Sequence, residues 1–340
     1  MHLKKSVHGW NCSAMKMNKI ISKTAEICLT GGQITQQETR ALLAEAGTDF
    51  FDLLYWANRI RERFFGCEVK ICSIVPGRLG GCDQDCKFCA QSARYRTGFD
   101  HVRALTDAEI LDAASRVKSS GVVNFGIVYS GRTVNETELA RLEGLIQRIS
   151  DMGLKVCASL GVITADQAKR LVGAGLTGYN HNLETSERHF PSIVTTHNYS
   201  ERVETIKAAQ KAGLRICAGG IFGIGETDDD RIEMAMQLRT LGVDIVPMNF
   251  LHPIEGTPLG CQKTLEPKEI LTIIALYRFI LPQTTLKIAG GRVLNLRDMQ
   301  SWMFCAGANA ILSGNYLTTS GRRIEEDMQM LSDLGLKGTS

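Results

Sequence analysis

The chain has 340 residues, 44% of them hydrophobic, a length that allows two average domains or one large α/β barrel with a sizeable core. Its 39 basic and 36 acidic residues leave a net charge of +3, and it has no basic block or long apolar run. This argues against nucleic-acid and membrane partners and favours a small-molecule substrate. Eleven cysteines, an odd number in so long a chain, do not resemble a disulfide framework, so we expect a reducing, cytoplasmic environment.

The first elements predicted are an N-terminal extension and two helices. Residues 1–30 include several lysines but no apolar stretch long enough for a signal peptide, so we expect a poorly ordered extension. Thr35 and Glu38 have the spacing of a capping box, and residues 48–65 carry apolar side chains at helical spacing. Two helices are therefore expected ahead of the rest of the chain.

From residue 68 onward, short β-branched runs alternate with amphipathic helices. Strands are predicted over 68–74, 122–129, 154–160, 178–184, 214–222, 244–250, 284–291 and 310–313. Helices are predicted over 106–120, 137–152, 164–174, 200–212, 227–241, 267–281, 295–307 and 323–334. Parallel strands this apolar have no solvated face, which favours a closed (β/α)8 TIM-type barrel over an open sheet. We expect a single α/β domain over residues 31–340.

Three closely spaced cysteines follow the first predicted strand. Cys82, Cys86 and Cys89 stand in the run CDQDCKFC, and no fourth cysteine lies nearby to complete a set of ligands. A structural zinc site normally takes four ligands from paired motifs, and inert buried thiols rarely crowd into a charged, glycine-rich loop. Three thiolates around a cubane iron–sulfur cluster leave one iron free to bind something else. We therefore predict a chemically active 4Fe-4S cluster, placed over the barrel mouth by its loop.

This cysteine run after a first barrel strand resembles the radical S-adenosylmethionine superfamily, and further segments narrow the resemblance to the biotin synthase family. The segments are CDQDCKFCAQSARYRTG, YNHNLETS, TTHNYSERVETI, CAGGIFGIGET, VPMNFL, EGTPL and AGGR followed by CAGAN, in the same order over residues 82 to about 320.

The resemblance implies that a 4Fe-4S cluster splits S-adenosylmethionine to a 5'-deoxyadenosyl radical, which abstracts hydrogen from dethiobiotin. An auxiliary iron–sulfur cluster would supply the sulfur that forms biotin, with no side chain acting as a catalyst itself. A homodimer and an electron donor such as flavodoxin or ferredoxin are also implied.

The resemblance assigns polar residues to cofactor and substrate. In YNHNLETS, strand alternation places Asn182 and Glu184 on one face, where Asn182 would contact the cofactor and the substrate ureido ring. Glu184 would bind the cofactor ribose, although the family usually has aspartate there. Arg202 matches the arginine that holds the cofactor carboxylate, and Asn249 can donate to and accept from a urea-like ring. The alternatives are a polar strand end facing water and, for Arg202, a solvated helix residue.

The auxiliary cluster site departs from the family pattern. The family holds a 2Fe-2S cluster with three cysteines and an arginine from strands two, three, five and seven. Cys157, Cys217 and Arg292 match the last three, but Gly126 stands at the strand-two position. Cys72 lies on strand one, and alternate strands fill the same layer of a barrel.

We therefore expect Cys72, Cys157 and Cys217 to converge. They would hold a cubane cluster, as in the divergent anaerobic type of biotin synthase, or remain inert buried thiols. Arg292 would ligate this cluster or stand beside it as a positive charge.

Two other functions stay open. A related radical barrel that matures a hydrogenase cofactor or rearranges an amino acid would not need YNHNLETS together with Cys157 and Cys217. An iron–sulfur scaffold or carrier would not need the polar residues Asn182, Arg202 and Asn249 at a substrate pocket. The sequence therefore favours sulfur insertion into dethiobiotin.

Overall fold

The computed structural model describes residues 17–99 and 101–339 of the chain. Its α-helices are α1 (Lys19–Leu29), α2 (Gln36–Ala46), α3 (Phe50–Phe65), α4 (Asp107–Ser119), α5 (Glu136–Asp151), α6 (Ala165–Gly173), α7 (Phe190–Ile193), α8 (Tyr199–Lys211), α9 (Asp228–Thr240), α10 (Pro267–Ile280), α11 (Arg292–Leu296), α12 (Trp302–Cys305) and α13 (Ile324–Asp333). Its strands are β1 (Glu68–Leu79), β2 (Arg103–Ala104), β3 (Asn124–Tyr129), β4 (Lys155–Ser159), β5 (Leu176–Asn180), β6 (Arg215–Cys217), β7 (Gly220–Phe222), β8 (Ile245–Phe250), β9 (Thr285–Ile288), β10 (Ala310–Leu312) and β11 (Lys337–Thr339).

Eight parallel strands form the closed barrel that the sequence predicts. They follow one another in the order β1, β3, β4, β5, β6, β8, β9 and β10, and β10 pairs with β1 to close the ring. The closing pair is in register at Lys70 with Ala310 and at Cys72 with Leu312. Strand β7 continues β6 and pairs with β8, while β2 and β11 pair with the two ends of β1. The predicted (β/α)8 fold is confirmed.

Local sequence signals explain where the outer helices begin. The capping box predicted at Thr35 with Glu38 is present, and so is one at Thr106 with Glu109, with each threonine hydroxyl accepting the glutamate N–H. The same arrangement starts α5, α6 and α9. Such caps satisfy N–H groups that a helix end leaves free, and so fix where each strand-to-helix loop ends.

Three helices precede β1, one more than predicted. Helix α1 lies within residues 1–30, and the expectation of poor order is wrong for this part of the stretch. Ile21, Ala25 and Cys28 recur at helical spacing and are fully buried, and the Cys28 thiol donates to a carbonyl of α10 at 3.2 Å. Packing of this apolar face stabilises a helix too short to be stable alone. The beginning of the predicted extension, residues 1–16, lies outside the described residues.

Several elements differ from their predicted bounds, and two of them do so near residues with a positive φ. The strand predicted over 178–184 is β5, which ends at residue 180, and the chain beyond it makes irregular backbone hydrogen bonds to the β6–β7 connection. Within that irregular stretch, Glu184 has a left-handed backbone with φ of 71°. The helix predicted over 295–307 is divided among α11, a 3-10 turn and α12, because Arg297 also has a positive φ, 50°.

The described helices are either short or polar on one face. None of them combines the length and apolar character that crossing a membrane requires.

Candidate active site

The three closely spaced cysteines lie in the loop between β1 and β2, at the carboxyl end of the barrel. The loop folds back on itself, because the Cys82 N–H donates to Gln91 O at 3.0 Å and the Ala93 N–H donates to Cys82 O at 2.7 Å. A tight turn joins the other two, with the Cys89 N–H donating to Cys86 O at 2.9 Å. Cys89 lines a cavity at the barrel mouth, so the loop occupies the position expected of it.

Burial makes the two inner thiols of this loop weak acids. It raises the pKa of Cys86 well above its ordinary value and raises that of Cys89 to about 11. Both thiols also interact electrostatically with Cys82 and with the carboxylate of Glu184. The three sulfur atoms therefore lie close enough to affect one another's pKa. Metal binding replaces the thiol protons. This donor set fits a cluster that takes three cysteine ligands and leaves one iron free.

Mononuclear metal sites are a separate matter. Over residues 17–99 and 101–339, no three His, Cys, Asp or Glu side chains are grouped closely enough to hold one metal ion. A cubane cluster carries its cysteine ligands on separate iron atoms, so its thiols stand farther apart than those around one ion.

Arg202 and Glu184 lie side by side at the barrel mouth. The Arg202 Nη1 donates to Asn182 O at 2.8 Å and lies 3.6 Å from Glu184 Oε1. Their side chains are only 11% and 14% exposed. Burial raises the pKa of Glu184, while the Arg202 charge opposes that rise. A left-handed backbone costs a residue such as Glu184 on the order of 1–3 kcal/mol, and such strain concentrates at functional sites.

One donor of Arg202 lacks an acceptor. Its Nε is buried and has no hydrogen-bond partner in the described part of the chain. The other nitrogens are engaged, since Nη2 donates to His197 Nε2 at 2.9 Å and the guanidinium lies 5.5 Å from the centroid of the Phe190 ring. A buried N–H without a partner costs free energy. The site therefore suits an anionic ligand such as a carboxylate.

The two amides predicted to bind substrate are both at the barrel mouth. The Asn182 Nδ2 lies 3.5 Å from Glu184 Oε2, and its Oδ1 accepts a backbone N–H at 3.3 Å. Asn249 on β8 donates to Gly220 O at 3.1 Å and accepts from the Gly290 N–H at 2.9 Å, so it links neighbouring strands. An amide oxygen has two lone pairs and an amide nitrogen two hydrogens, so both side chains keep capacity for a ligand.

A second set of thiols lies deeper in the barrel. Cys72, Cys157 and Cys217 line one interior cavity of about 270 Å³. Burial raises the pKa of Cys157 to about 12, and the other two thiols add to the rise, so the three lie within electrostatic reach of one another. Gly126, where the family usually has a cysteine, pairs with Cys157 across the sheet and lines the same cavity.

The interior cavity and the mouth cavity, each about 270 Å³, share part of their walls. The shared residues are Ile74, Asn182, Asn249, Leu312 and Leu317. Cys89 of the cysteine loop and the three interior thiols therefore line two adjoining cavities, one at the mouth and one deeper in the barrel.

Lys287 completes the interior site, and sequence reasoning missed it. It lies on β9, the seventh barrel strand, and its Nζ donates to Cys217 Sγ at 3.1 Å. Burial alone would lower the pKa of Lys287, but Cys217 and Cys72 raise it above its ordinary value. The signal was available, because strand seven alternates with strands one, three and five, and Lys287 is a lone charge in the strand TLKI.

Arg292 does not belong to the interior site, which corrects the prediction that it ligates or adjoins the auxiliary cluster. Its fully buried side chain forms an ion pair with Asp327, and it donates to Tyr316 Oη at 3.1 Å and to Gln300 Oε1 at 3.0 Å. It starts α11, beyond the end of β9, and does not line the cavity of the three cysteines. The cations that line the cavity of those cysteines are Lys287, five residues earlier, and Arg215, and Lys287 donates to Cys217 directly.

Comparison with known proteins identifies the family. The "Radical SAM superfamily" model matches residues 78–238, and the "Biotin and Thiamin Synthesis associated domain" model matches residues 247–337. The biotin synthase of Heliobacterium modesticaldum is 48% identical over 322 residues, 94% of this chain and 98% of that protein. The biotin synthase of Citrifermentans bemidjiense is 45% identical over the same shares. The chain belongs to the biotin synthase family.

Solved structures agree on the fold. Methylornithine synthase superposes with a TM-score of 0.81 at 22% identity, over 93% of this chain and 97% of that chain. The FeFe-hydrogenase maturase HydG from Carboxydothermus hydrogenoformans gives 0.78 at 18% identity, over 94% of this chain and 79% of that chain. At these identities the likeness shows the fold alone.

A biotin synthase is a radical S-adenosylmethionine sulfurtransferase, so a 4Fe-4S cluster and S-adenosylmethionine belong to its chemistry. The residues of this chain fit both groups. Cys82, Cys86 and Cys89 supply three thiols in one loop, and the unpaired Nε of Arg202 lies in the same electrostatic neighbourhood, since Arg202 lowers the pKa of Cys86 against the effect of burial.

Proposed function

We propose that the barrel works with two iron–sulfur clusters, one on each set of thiols, and with dethiobiotin bound between them. The observation that carries this proposal is that Cys89 and the three interior thiols line two adjoining cavities that share part of their walls. A protein that only carried a cluster would have no use for the second set or for the amides between them.

The loop thiols Cys82, Cys86 and Cys89 would hold the 4Fe-4S cluster. When bound and reduced, this cluster supplies the electron that splits S-adenosylmethionine to methionine and a 5'-deoxyadenosyl radical. The Arg202 guanidinium would bind the carboxylate of S-adenosylmethionine, which offers the acceptor that its buried Nε lacks. The Glu184 carboxylate would accept hydrogen bonds from the ribose hydroxyls.

The amides of Asn182 and Asn249 would orient the substrate. Each can donate to and accept from the ureido ring of dethiobiotin, and both line the space shared by the two cavities. Ile74, Leu312 and Leu317 give this space an apolar wall. Such a wall helps exclude water, which protects a reactive carbon radical from side reactions.

The interior thiols Cys72, Cys157 and Cys217 would hold the auxiliary cluster. When bound, this cluster supplies the sulfur that enters the substrate. Three thiols and no cysteine at Gly126 suit a cubane better than the 2Fe-2S cluster of the usual family member. Lys287, which donates to Cys217, would balance part of the negative charge of the thiolates.

The remaining features follow from the resemblance to the family. We propose that the chain works in the cytoplasm as a homodimer that receives electrons from flavodoxin or ferredoxin. Light scattering on the purified protein measures its mass in solution, and a monomer would contradict the dimer.

Iron and sulfide content after anaerobic reconstitution tests the two-cluster proposal. Wild-type protein should retain two clusters per chain, and both Cys86→Ala and Cys157→Ala should retain one, with different visible absorption spectra. Cys261→Ala is the matched control, because this exposed cysteine lies outside both sets. One cluster in the wild type, or two in Cys157→Ala, would contradict the proposal.

A further inference from the structure

A chain of hydrogen bonds joins the cysteine loop to Arg202 through His197. The His197 Nδ1 lies 2.8 Å from Gln84 Oε1, and Gln84 stands between two of the cluster cysteines. On the other side of the ring, the Arg202 Nη2 lies 2.9 Å from His197 Nε2. One imidazole thus contacts both the loop that would hold the cluster and the arginine that would hold the cofactor carboxylate.

The partners at both ends fix the protonation of this ring. A guanidinium can only donate, so His197 Nε2 must accept, and the ring proton belongs on Nδ1, which donates to Gln84 Oε1. The Gln84 amide presents its oxygen to the ring, because its Nε2 is turned the other way and donates to Asp83 Oδ1 at 2.8 Å. Burial and then the charge of Arg202 lower the pKa of His197 to about 4, which keeps the ring neutral near pH 7.

The surrounding contacts hold the ring in this place. Phe190 packs edge-on against the His197 ring, with centroids 5.6 Å apart, and the guanidinium of Arg202 covers the face of the same phenylalanine. The segment before His197 is bound to the cysteine loop as well, since the N–H groups of Thr195 and Thr196 donate to Asp85 Oδ1 at 2.9 and 3.1 Å.

We propose that His197 is a positioning residue for the cofactor, which sets the Arg202 guanidinium at a fixed place relative to the cysteine loop. Two of the three guanidinium nitrogens are then occupied by protein, and Nε is left for the carboxylate of S-adenosylmethionine. This inference rests on the proposed function in one respect, namely that Arg202 receives that carboxylate.

The test compares the binding of S-adenosylmethionine with that of decarboxylated S-adenosylmethionine, which lacks the group that Arg202 would hold. Anaerobic titration calorimetry on the reconstituted protein gives both dissociation constants. His197→Leu should weaken S-adenosylmethionine binding about tenfold, the effect of losing roughly one hydrogen bond to a charged group, and leave the decarboxylated compound unchanged.

Two further variants distinguish the contact of His197 Nε2 with Arg202 from the contact of Nδ1 with Gln84. In His197→Gln the amide oxygen can reach the position of Nε2, so most of the affinity for S-adenosylmethionine should return. His197→Asn keeps a donor near Nδ1 but no acceptor for Arg202, so it should bind as weakly as His197→Leu. His189→Gln is the control, because its ring contacts Ser192 and not Arg202.

Three results would overturn the inference. They are unchanged S-adenosylmethionine binding in His197→Leu, equal weakening of both compounds, and wild-type affinity in His197→Asn. If His197→Leu does not fold, the comparison of His197→Gln with His197→Asn decides alone. Arg202→Met tests the role of Arg202 separately: it should weaken the binding of S-adenosylmethionine and leave that of the decarboxylated compound unchanged. An equal effect of Arg202→Met on both compounds would overturn the role of Arg202 itself.

Discussion

Two buried cations in this barrel have different partners, and the partners determine what each one does. Lys287 donates to a thiol inside the interior cavity, so its charge acts on the cysteines. Arg292 is paired with Asp327 and both side chains are fully buried, so its charge is balanced within the protein. A buried charge that keeps its partner is tolerated, whereas one that loses its partner is strongly destabilising.

At the scale of single residues, we predict that Arg292→Met destabilises the fold and leaves the interior cluster in place. Removing the arginine leaves the buried Asp327 with only the longer ion pair to Arg322, at 3.7 Å, and the Ser313 hydroxyl, which should lower the free energy of unfolding by up to about 3–5 kcal/mol in urea titrations. The double variant Arg292→Met/Asp327→Leu should recover much of that loss, because it removes both charges. A stable Arg292→Met protein that had lost one cluster would show that Arg292 is a ligand after all.

Sequence spacing predicts the loop cysteines well because three ligands of one cluster come from eight consecutive residues. It does not distinguish Lys287 from Arg292, since both are cations near the end of β9. Which of the two cations faces the cysteines depends on the register of β9 and on Asp327, which lies 35 positions after Arg292. The chain of hydrogen bonds through His197 could not be predicted from the sequence either, because Gln84 is 113 positions away from His197.

At the scale of elements, one glycine on β5 makes room for an interior thiol. A Cβ at Gly178 would lie 3.0 Å from Cys157 Sγ and 3.4 Å from Arg215 O. Cys157 and Gly178 are paired across β4 and β5, so a larger residue there would turn the thiol away from its cavity. The position of the thiol thus depends on the neighbouring strand as well as on its own.

We predict that Gly178→Ala lowers the iron retained by the interior site and leaves the loop cluster unchanged. Crowding of a packed interior should also lower the free energy of unfolding by about 1–3 kcal/mol. Gly144→Ala is the control, because a Cβ at this exposed position of α5 meets nothing within 4 Å. It should stabilise the protein by about 0.5–1 kcal/mol, the usual gain inside a helix. Equal iron content in both variants would contradict the role of Gly178.

The bounds of elements were predictable where the local signal was strong. Runs rich in β-branched residues marked barrel strands such as β1, β3 and β8, and threonine with glutamate three residues later marked helix starts. Helix α1 was missed because its stability depends on burial against α3 and α10, which local sequence does not show. The early end of β5 and the positive φ of Glu184 four residues later were both missed, because strand alternation gives no warning of either.

At the scale of the whole molecule, the closed barrel relates the two chemical sites. The cysteine loop follows β1 at the mouth, while the interior thiols come from β1, β4 and β6, so closure of the ring brings the two sets to adjoining cavities. The comparisons identify the family over nearly the full length of the chain. Under the proposed function, each set of thiols has a separate task, cofactor cleavage at the mouth and sulfur transfer in the interior.

The most direct test of this division is a measurement of two products from one reaction mixture. Reconstituted protein is given S-adenosylmethionine, dethiobiotin and a reductant, and 5'-deoxyadenosine and biotin are quantified together. The wild type should form both, Cys157→Ala should form 5'-deoxyadenosine without biotin, and Cys86→Ala should form neither. Formation of 5'-deoxyadenosine by Cys86→Ala, or of biotin by Cys157→Ala, would contradict the account.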